Sequence, residues 1–65
     1  MTPPDTDAPI PVERRQEIFR ELVEAQDRGA SVSDSRDEIA RRFGATEGQV
    51  RAIEREGIEE NWPPL

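Results

Sequence analysis

The sequence contains no cysteine and no histidine. Without these residues the chain has no disulfide bridge, no thiolate or imidazole metal ligand and no Ser-His or Cys-His catalytic pair. The carboxylates that remain alternate with arginines, which is typical of solvated helix faces rather than of a catalytic centre. We therefore predict no metal site, no cofactor and no enzymatic activity.

Long apolar stretches are also missing from the sequence. None approaches the ~20 residues that a membrane-spanning helix needs. The first residues, MTPPDTDAP, lack the basic and then apolar pattern of a secretory signal. Residues 1–9 contain three prolines, two aspartates and few apolar side chains, so they are predicted to be a disordered leader. We expect a cytoplasmic protein without membrane contact.

The charge of the chain is strongly acidic. Fifteen acidic residues outnumber nine basic residues, all of them arginine, so the formal net charge is -6. Such a balance opposes non-specific attraction to nucleic acid. Binding to DNA would therefore depend on the local arrangement of the arginines.

The first amphipathic helix is predicted over residues 11–28. Pro11 suits a first helical turn, apolar residues then recur at helical spacing, and Gly29 is a natural left-handed stop. The next residues, GASVSDS, have the composition of a polar connector. In that connector Val32 is the expected apolar anchor.

A second helix is predicted over residues 35–43. Ser35 and Glu38 have the spacing of a capping box, in which each side chain accepts a hydrogen bond from a backbone N–H at the helix start. Gly44 follows the last apolar residue of the pattern. We expect the helix to stop there.

A third helix is predicted over residues 46–56. Thr46 and Gln49 repeat the capping-box spacing almost directly after the second helix, and Gly57 is the expected terminator. A connection of about three residues with a glycine at the bend is typical of a helix-turn-helix. The fold expected for residues 10–65 is therefore an all-α, three-helix domain of this kind.

The chain closes with Trp62, two prolines and Leu65. In one interpretation this Trp-Pro-Pro-Leu tail packs back, so that Ile58, Trp62 and Leu65 cover the core. In the other, the last three residues form an extended hook for a partner. The predicted fold includes the packed tail.

The run DEIARRFGATEGQVRAIERE, residues 37–56, resembles the DNA-binding fourth region of bacterial primary-type sigma factors. That family combines a Glu-Ile-Ala-like start, a Phe-Gly turn, a capping threonine and a Val-Arg-x-Ile-Glu segment. The matching residues are Glu38, Ile39, Ala40, Phe43, Gly44, Thr46, Val50, Arg51, Ile53 and Glu54. The resemblance implies a helix-turn-helix whose third helix enters the major groove of duplex DNA.

A helical wheel turns Arg51 and Arg55 away from the core, where they can contact phosphates or a guanine edge. The alternative is an ordinary i,i+4 pair between Glu47 and Arg51 on a solvated helix face. Arg36, expected at a helix start, can hold a phosphate there. Arg41 and Arg42 either approach the DNA backbone or complement the helix dipole. The candidate DNA-contacting residues are Arg36, Arg41, Arg42, Thr46, Gln49, Arg51 and Arg55.

A second hypothesis remains open, because Glu47, Gly48 and Ala52 stand where the family carries large basic or amide base readers. The five arginines of residues 36–56 are balanced there by five carboxylates. We therefore also consider a protein-interaction module that keeps the scaffold without binding DNA. Its expected partners are RNA polymerase, another regulator or a second copy of the chain as a homodimer.

Overall fold

The computed structural model describes residues 10–65, which form three α-helices and no strand. Helix α1 spans Val12–Asp27, α2 spans Val32–Phe43 and α3 spans Glu47–Glu60. The expectation of an all-α domain with three helices is confirmed. None of these helices combines the length and apolarity required to cross a membrane. The predicted disordered leader lies outside the described residues.

Helix α1 begins and ends close to the predicted positions. Pro11 precedes it in an extended conformation, and its carbonyl accepts a hydrogen bond of 2.9 Å from the Arg15 N–H. At the other end Gly29 has a φ of 105°, which few residues other than glycine adopt readily. The Ala30 N–H then bonds to the Ala25 carbonyl at 3.1 Å and closes the helix.

Helix α2 begins earlier than predicted, at Val32. Its N-cap is Ser31, whose hydroxyl accepts a hydrogen bond of 3.0 Å from the Asp34 N–H. The predicted cap, Ser35, lies inside the helix and is fully buried. Val32 was expected to be an apolar anchor, but it is 48% exposed. The predicted connector is therefore mostly the first turn of α2.

The burial of Ser35 explains this difference. Its hydroxyl donates to the Val32 carbonyl at 2.9 Å and accepts a hydrogen bond of 3.2 Å from Gln26 Nε2 on α1. Capping by Ser31 leaves Ser35 available for this contact between two helices. Several serines at short spacing can each cap a helix, so tertiary contacts select among them.

Helix α3 begins as predicted but ends later. Both capping-box hydrogen bonds are present, Thr46 N–H to Gln49 Oε1 at 2.9 Å and Gln49 N–H to Thr46 Oγ1 at 3.0 Å. Gly44, with a φ of 67°, ends α2 and starts the short link to α3. The expected stop at Gly57 is wrong, because α3 continues to Glu60 and ends at Asn61 in the left-handed conformation.

Gly57 lies within α3, where its lack of a side chain makes room for an aromatic ring. A Cβ at this position would lie 2.7 Å from Phe19 Cγ and closer still to two other ring carbons. Phe19 in turn meets Trp62 edge-on, with ring centroids 6.0 Å apart. Trp62 is buried, whereas Ile58 and Leu65, expected to cover the core, are 58% and 61% exposed.

The core draws on all three helices and on Trp62. Each large apolar side chain that it buries contributes roughly 2 kcal/mol to folding. Ile10, Val23, Phe43 and Ala45 pack around its edge. The buried apolar residues are Ile18, Phe19, Leu22, Ala25, Ile39, Ala40, Val50, Ile53 and Trp62.

Candidate functional site

Helix α3 has two sharply different faces. Val50, Ile53 and Gly57 are buried against the rest of the domain. The opposite surface, here called the outer face of α3, is exposed to solvent. It consists of Gly48, Arg51, Ala52, Arg55, Ile58 and Glu59.

Arg51 and Arg55 stand one helical turn apart on the outer face of α3. Neither forms an ion pair or a hydrogen bond with any residue in the range 10–65. A pair between Glu47 and Arg51 at i,i+4 spacing, the ordinary alternative for an exposed helix, does not form. No acceptor within residues 10–65 occupies their donors, so both guanidinium groups can donate to an external acceptor.

Arg36 occupies a different environment from the one expected. Because α2 begins at Val32, Arg36 is not at a helix start and cannot hold a phosphate at exposed backbone N–H groups. Its guanidinium instead contacts Glu54 Oε1 on α3, at 2.8 Å from Nη2 and 3.0 Å from Nε. The two side chains are only 26% and 18% exposed, so this pair connects α2 to α3.

Arg41 and Arg42 lie in the last turn of α2, where cations complement the helix dipole. Arg41 pairs with Asp37 on the same helix. Arg42 contacts Glu38 at 3.2 Å and also reaches Glu21 of α1 at 2.8 Å. Both arginine side chains are exposed, and such pairs contribute only about 0–1 kcal/mol, so a phosphate can compete for the arginines.

Thr46 and Gln49 hold the start of α3. The side chain of each accepts a hydrogen bond from the other's backbone N–H. Gln49 is half-buried, and Thr46 is exposed at the helix terminus. Contact with DNA by either side chain would have to coexist with capping or replace it.

Three Arg–Glu pairs connect the helices, one for each pair of helices. Arg15 binds Glu56 through Nε at 2.9 Å and Nη2 at 3.2 Å, and thus joins α1 to α3. The contact of Arg36 with Glu54 joins α2 to α3, and that of Arg42 with Glu21 joins α1 to α2. These pairs could not be derived from the sequence, because their partners are 18 to 41 residues apart.

An open surface groove runs beside the outer face of α3, lined by residues that include Arg36, Arg51, Ala52, Arg55 and Ile58. Ile58 was expected to face the core, and its place beside the two arginines was missed. The error follows from ending α3 at Gly57. If the helix continues, Ile58 falls three residues after Arg55 and therefore on the same side.

Comparisons of this chain with protein-family models, with curated proteins and with solved structures find no match. The likeness to the sigma-factor fourth region stays a prediction that rests on residues 37–56.

Proposed function

We propose that this protein is a small transcription-associated regulator that uses α2 and α3 as a helix-turn-helix and binds duplex DNA through the outer face of α3. The observation that carries the proposal is the exposed pair Arg51 and Arg55, one turn apart and without a carboxylate partner among residues 10–65. Guanidinium groups in this arrangement suit phosphate oxygens or a guanine edge.

Small residues next to the two arginines support the same proposal. Gly48 and Ala52 are exposed on the outer face of α3, and neither has a long side chain that projects from the helix. The helix backbone can therefore approach the floor of the major groove closely. The side chains of Arg51 and Arg55 are long enough to reach acceptors on either side of the helix.

Electrostatics limits the affinity of a single chain. The net charge is -6, and several arginines of α2 are already paired with carboxylates. Each phosphate contact contributes about 0.9 to the salt slope, so contacts from Arg51 and Arg55 correspond to a slope of about 2. Useful affinity then requires a tether to a larger DNA-bound assembly, such as RNA polymerase.

A low-salt titration tests the proposal. Backbone amide resonances of α3 are followed by NMR while random or promoter-like duplex DNA is added. We expect progressive shifts centred on Arg51 and Arg55, and their loss in the double variant Arg51→Gln, Arg55→Gln. The matched control is Arg20→Gln with Arg28→Gln, which removes the same charge from exposed residues on and just after α1. Unchanged α3 resonances with both duplexes would overturn the proposal.

The second candidate function is a protein-interaction module that keeps the helix-turn-helix scaffold without binding DNA. The observation that favours it is the exposure of Ile58 beside Arg51 and Arg55, because an apolar side chain among cations suits a protein surface better than a phosphate backbone. The partner would be RNA polymerase or another regulator. If Ile58→Ser abolished binding to such a partner, and the wild-type α3 resonances did not respond to either duplex, this second function would be favoured.

A further inference from the structure

The outer face of α3 carries both a projecting apolar side chain and a small residue that can receive one. Ile58 projects with 58% of its surface exposed, and Ala52 is also exposed. Six positions separate them, which is about 9 Å along a helix. Arg55 lies at the midpoint, three residues from each. The projecting Ile58 and the small Ala52 are therefore placed symmetrically about Arg55.

We propose that the outer face of α3 is a homodimer interface, in which α3 of a second copy lies antiparallel across a two-fold axis at Arg55. In this arrangement Ile58 of each copy packs onto Ala52 of the other. Closed two-fold contacts use the same patch on both copies, so both contacts form together. The inference does not depend on DNA binding.

The charges on the outer face of α3 match the same register. Arg51 and Glu59 each stand four residues from Arg55, on opposite sides. The two-fold operation that brings Ile58 onto Ala52 therefore places Arg51 of one copy opposite Glu59 of the other, twice. In the structure neither Arg51 nor Glu59 has an ion-pair partner among residues 10–65. Both are available for a second copy.

An axis two residues earlier, at Ile53, would be unfavourable. That register places Glu47 opposite Glu59 and Arg51 opposite Arg55, so every charged contact is between like charges. It also removes Ala52 from beneath Ile58. Since that register places Ile58 opposite Gly48, another small exposed residue, it is charge that selects the axis at Arg55 over this alternative.

The expected dimer is weak. One helix from each copy buries far less than the roughly 1,200–2,000 Å² of stable interfaces, and the two Arg55 side chains meet near the axis as like charges. Association should therefore be reversible and depend on protein concentration. Because it covers Arg51 and Arg55, the dimer and a bound duplex would compete for the same surface.

A charge-exchange experiment with the full chain tests the interface. Arg51→Glu and Glu59→Arg are prepared separately, and NMR measures concentration-dependent shifts of α3 up to millimolar protein. Wild-type resonances are expected to shift with concentration, whereas those of each variant alone are not, because its dimer would oppose like charges at both contacts. In a mixture both contacts join opposite charges again, so isotope-labelled Arg51→Glu should shift when unlabelled Glu59→Arg is added.

Several outcomes would overturn the proposal. A wild-type chain whose α3 resonances do not change up to millimolar concentration has no such interface. Single variants that associate as well as wild type, or a mixture that does not associate, would exclude the contact between Arg51 and Glu59. Both residues are exposed, so each variant should keep wild-type chemical shifts in the core.

A matched pair of apolar variants tests the contact between Ile58 and Ala52. Ile58→Ser should weaken self-association by about tenfold or more, since each copy loses a buried aliphatic side chain. The control is Val32→Ser, which removes a similarly exposed β-branched residue from the start of α2. Self-association of the control should equal that of wild type. Equal weakening by both changes would indicate non-specific apolar contact and overturn the proposed register.

Discussion

The inward and outward surfaces of α2 and α3 differ in whether their residues contact other helices. On the inward side Gly57 accommodates the Phe19 ring, Ser35 bonds to Gln26, and Arg36 is held by Glu54. The outward side carries the same three residue types at Gly48, Ser33 and Arg51, all exposed. The inward set is fixed by neighbours on other helices, and the outward set is not.

This difference separates arginines that are paired with another helix from arginines that are exposed to solvent. Arg51 lies in the segment that resembles a DNA-binding unit, and Arg36 directly precedes that segment. Arg36 is paired with Glu54, whereas Arg51 has no ion pair or hydrogen bond with any of residues 10–65. Composition alone would count the two residues as equivalent. Matched substitutions on the two surfaces can test whether the distinction is real.

The largest difference in stability is expected between alanine substitutions of two glycines, Gly57 and Gly48. Gly57→Ala should lower the free energy of unfolding by about 2 kcal/mol, because the added Cβ overlaps the Phe19 ring and outweighs the better helix propensity of alanine. Gly48→Ala meets only Thr46 Oγ1, at 3.8 Å, and should raise stability by about 0.5 kcal/mol. Urea unfolding followed by circular dichroism measures both. Equal effects of the same sign would mean that Phe19 does not pack on Gly57.

The two serines should also respond with opposite signs. Ser35→Ala removes the hydroxyl that accepts from Gln26 and should cost about 1 kcal/mol net, since a half-buried amide loses its partner. Ser33→Ala is at an exposed position in the first turn of α2 and should be neutral or stabilising by a few tenths of a kcal/mol. Thermal unfolding of the two variants distinguishes these outcomes. A stabilised Ser35→Ala protein would argue that Ser35 makes no interhelical contact.

The two capping boxes show what the sequence could and could not predict. The box at Thr46 and Gln49 directly follows a glycine that forces a turn, so few other starts were available and the prediction was correct. The box at Ser35 and Glu38 lay among other serines, and the helix used Ser31 instead. Local hydrogen-bonding patterns predict a helix start well only where competing caps are absent.

The glycines and arginines likewise show that contacts between residues distant in the sequence could not be predicted from local patterns. Gly44 and Gly57 both follow apolar helical patterns, but only Gly44 adopts the left-handed conformation. Gly57 lies within α3, and its missing side chain leaves room for Phe19, which is far away in the sequence. The exposure of Arg51 and Arg55 followed from helical periodicity alone, whereas the pairing of Arg36 with Glu54 required the packed fold.

Glutamine substitutions of Arg36 and Arg51 should differ by a smaller amount in their effect on the free energy of unfolding. Arg36→Gln leaves the half-buried Glu54 carboxylate without its guanidinium and should cost about 0.5–1 kcal/mol, a value reduced by partial solvent screening. Arg51→Gln breaks no described contact and should change the free energy of unfolding by less than about 0.5 kcal/mol. Urea unfolding at low and high salt checks both values. If Arg51→Gln proved as costly as Arg36→Gln, Arg51 would have a structural partner.

The smallest effect on stability, and the most informative effect on function, is expected for Arg55→Gln. Unfolding should change by less than about 0.5 kcal/mol because Arg55 has no described partner. DNA binding should weaken and its salt slope fall by about 0.9, since one cation leaves the outer face of α3. Self-association should strengthen, because two like charges leave the two-fold axis. The control is Arg28→Gln, which makes the same charge change outside α2 and α3. It should alter DNA binding and self-association less than Arg55→Gln does.

Weaker self-association of Arg55→Gln would exclude the axis at Arg55. Unchanged DNA binding by the same variant would remove Arg55 from the proposed DNA contact.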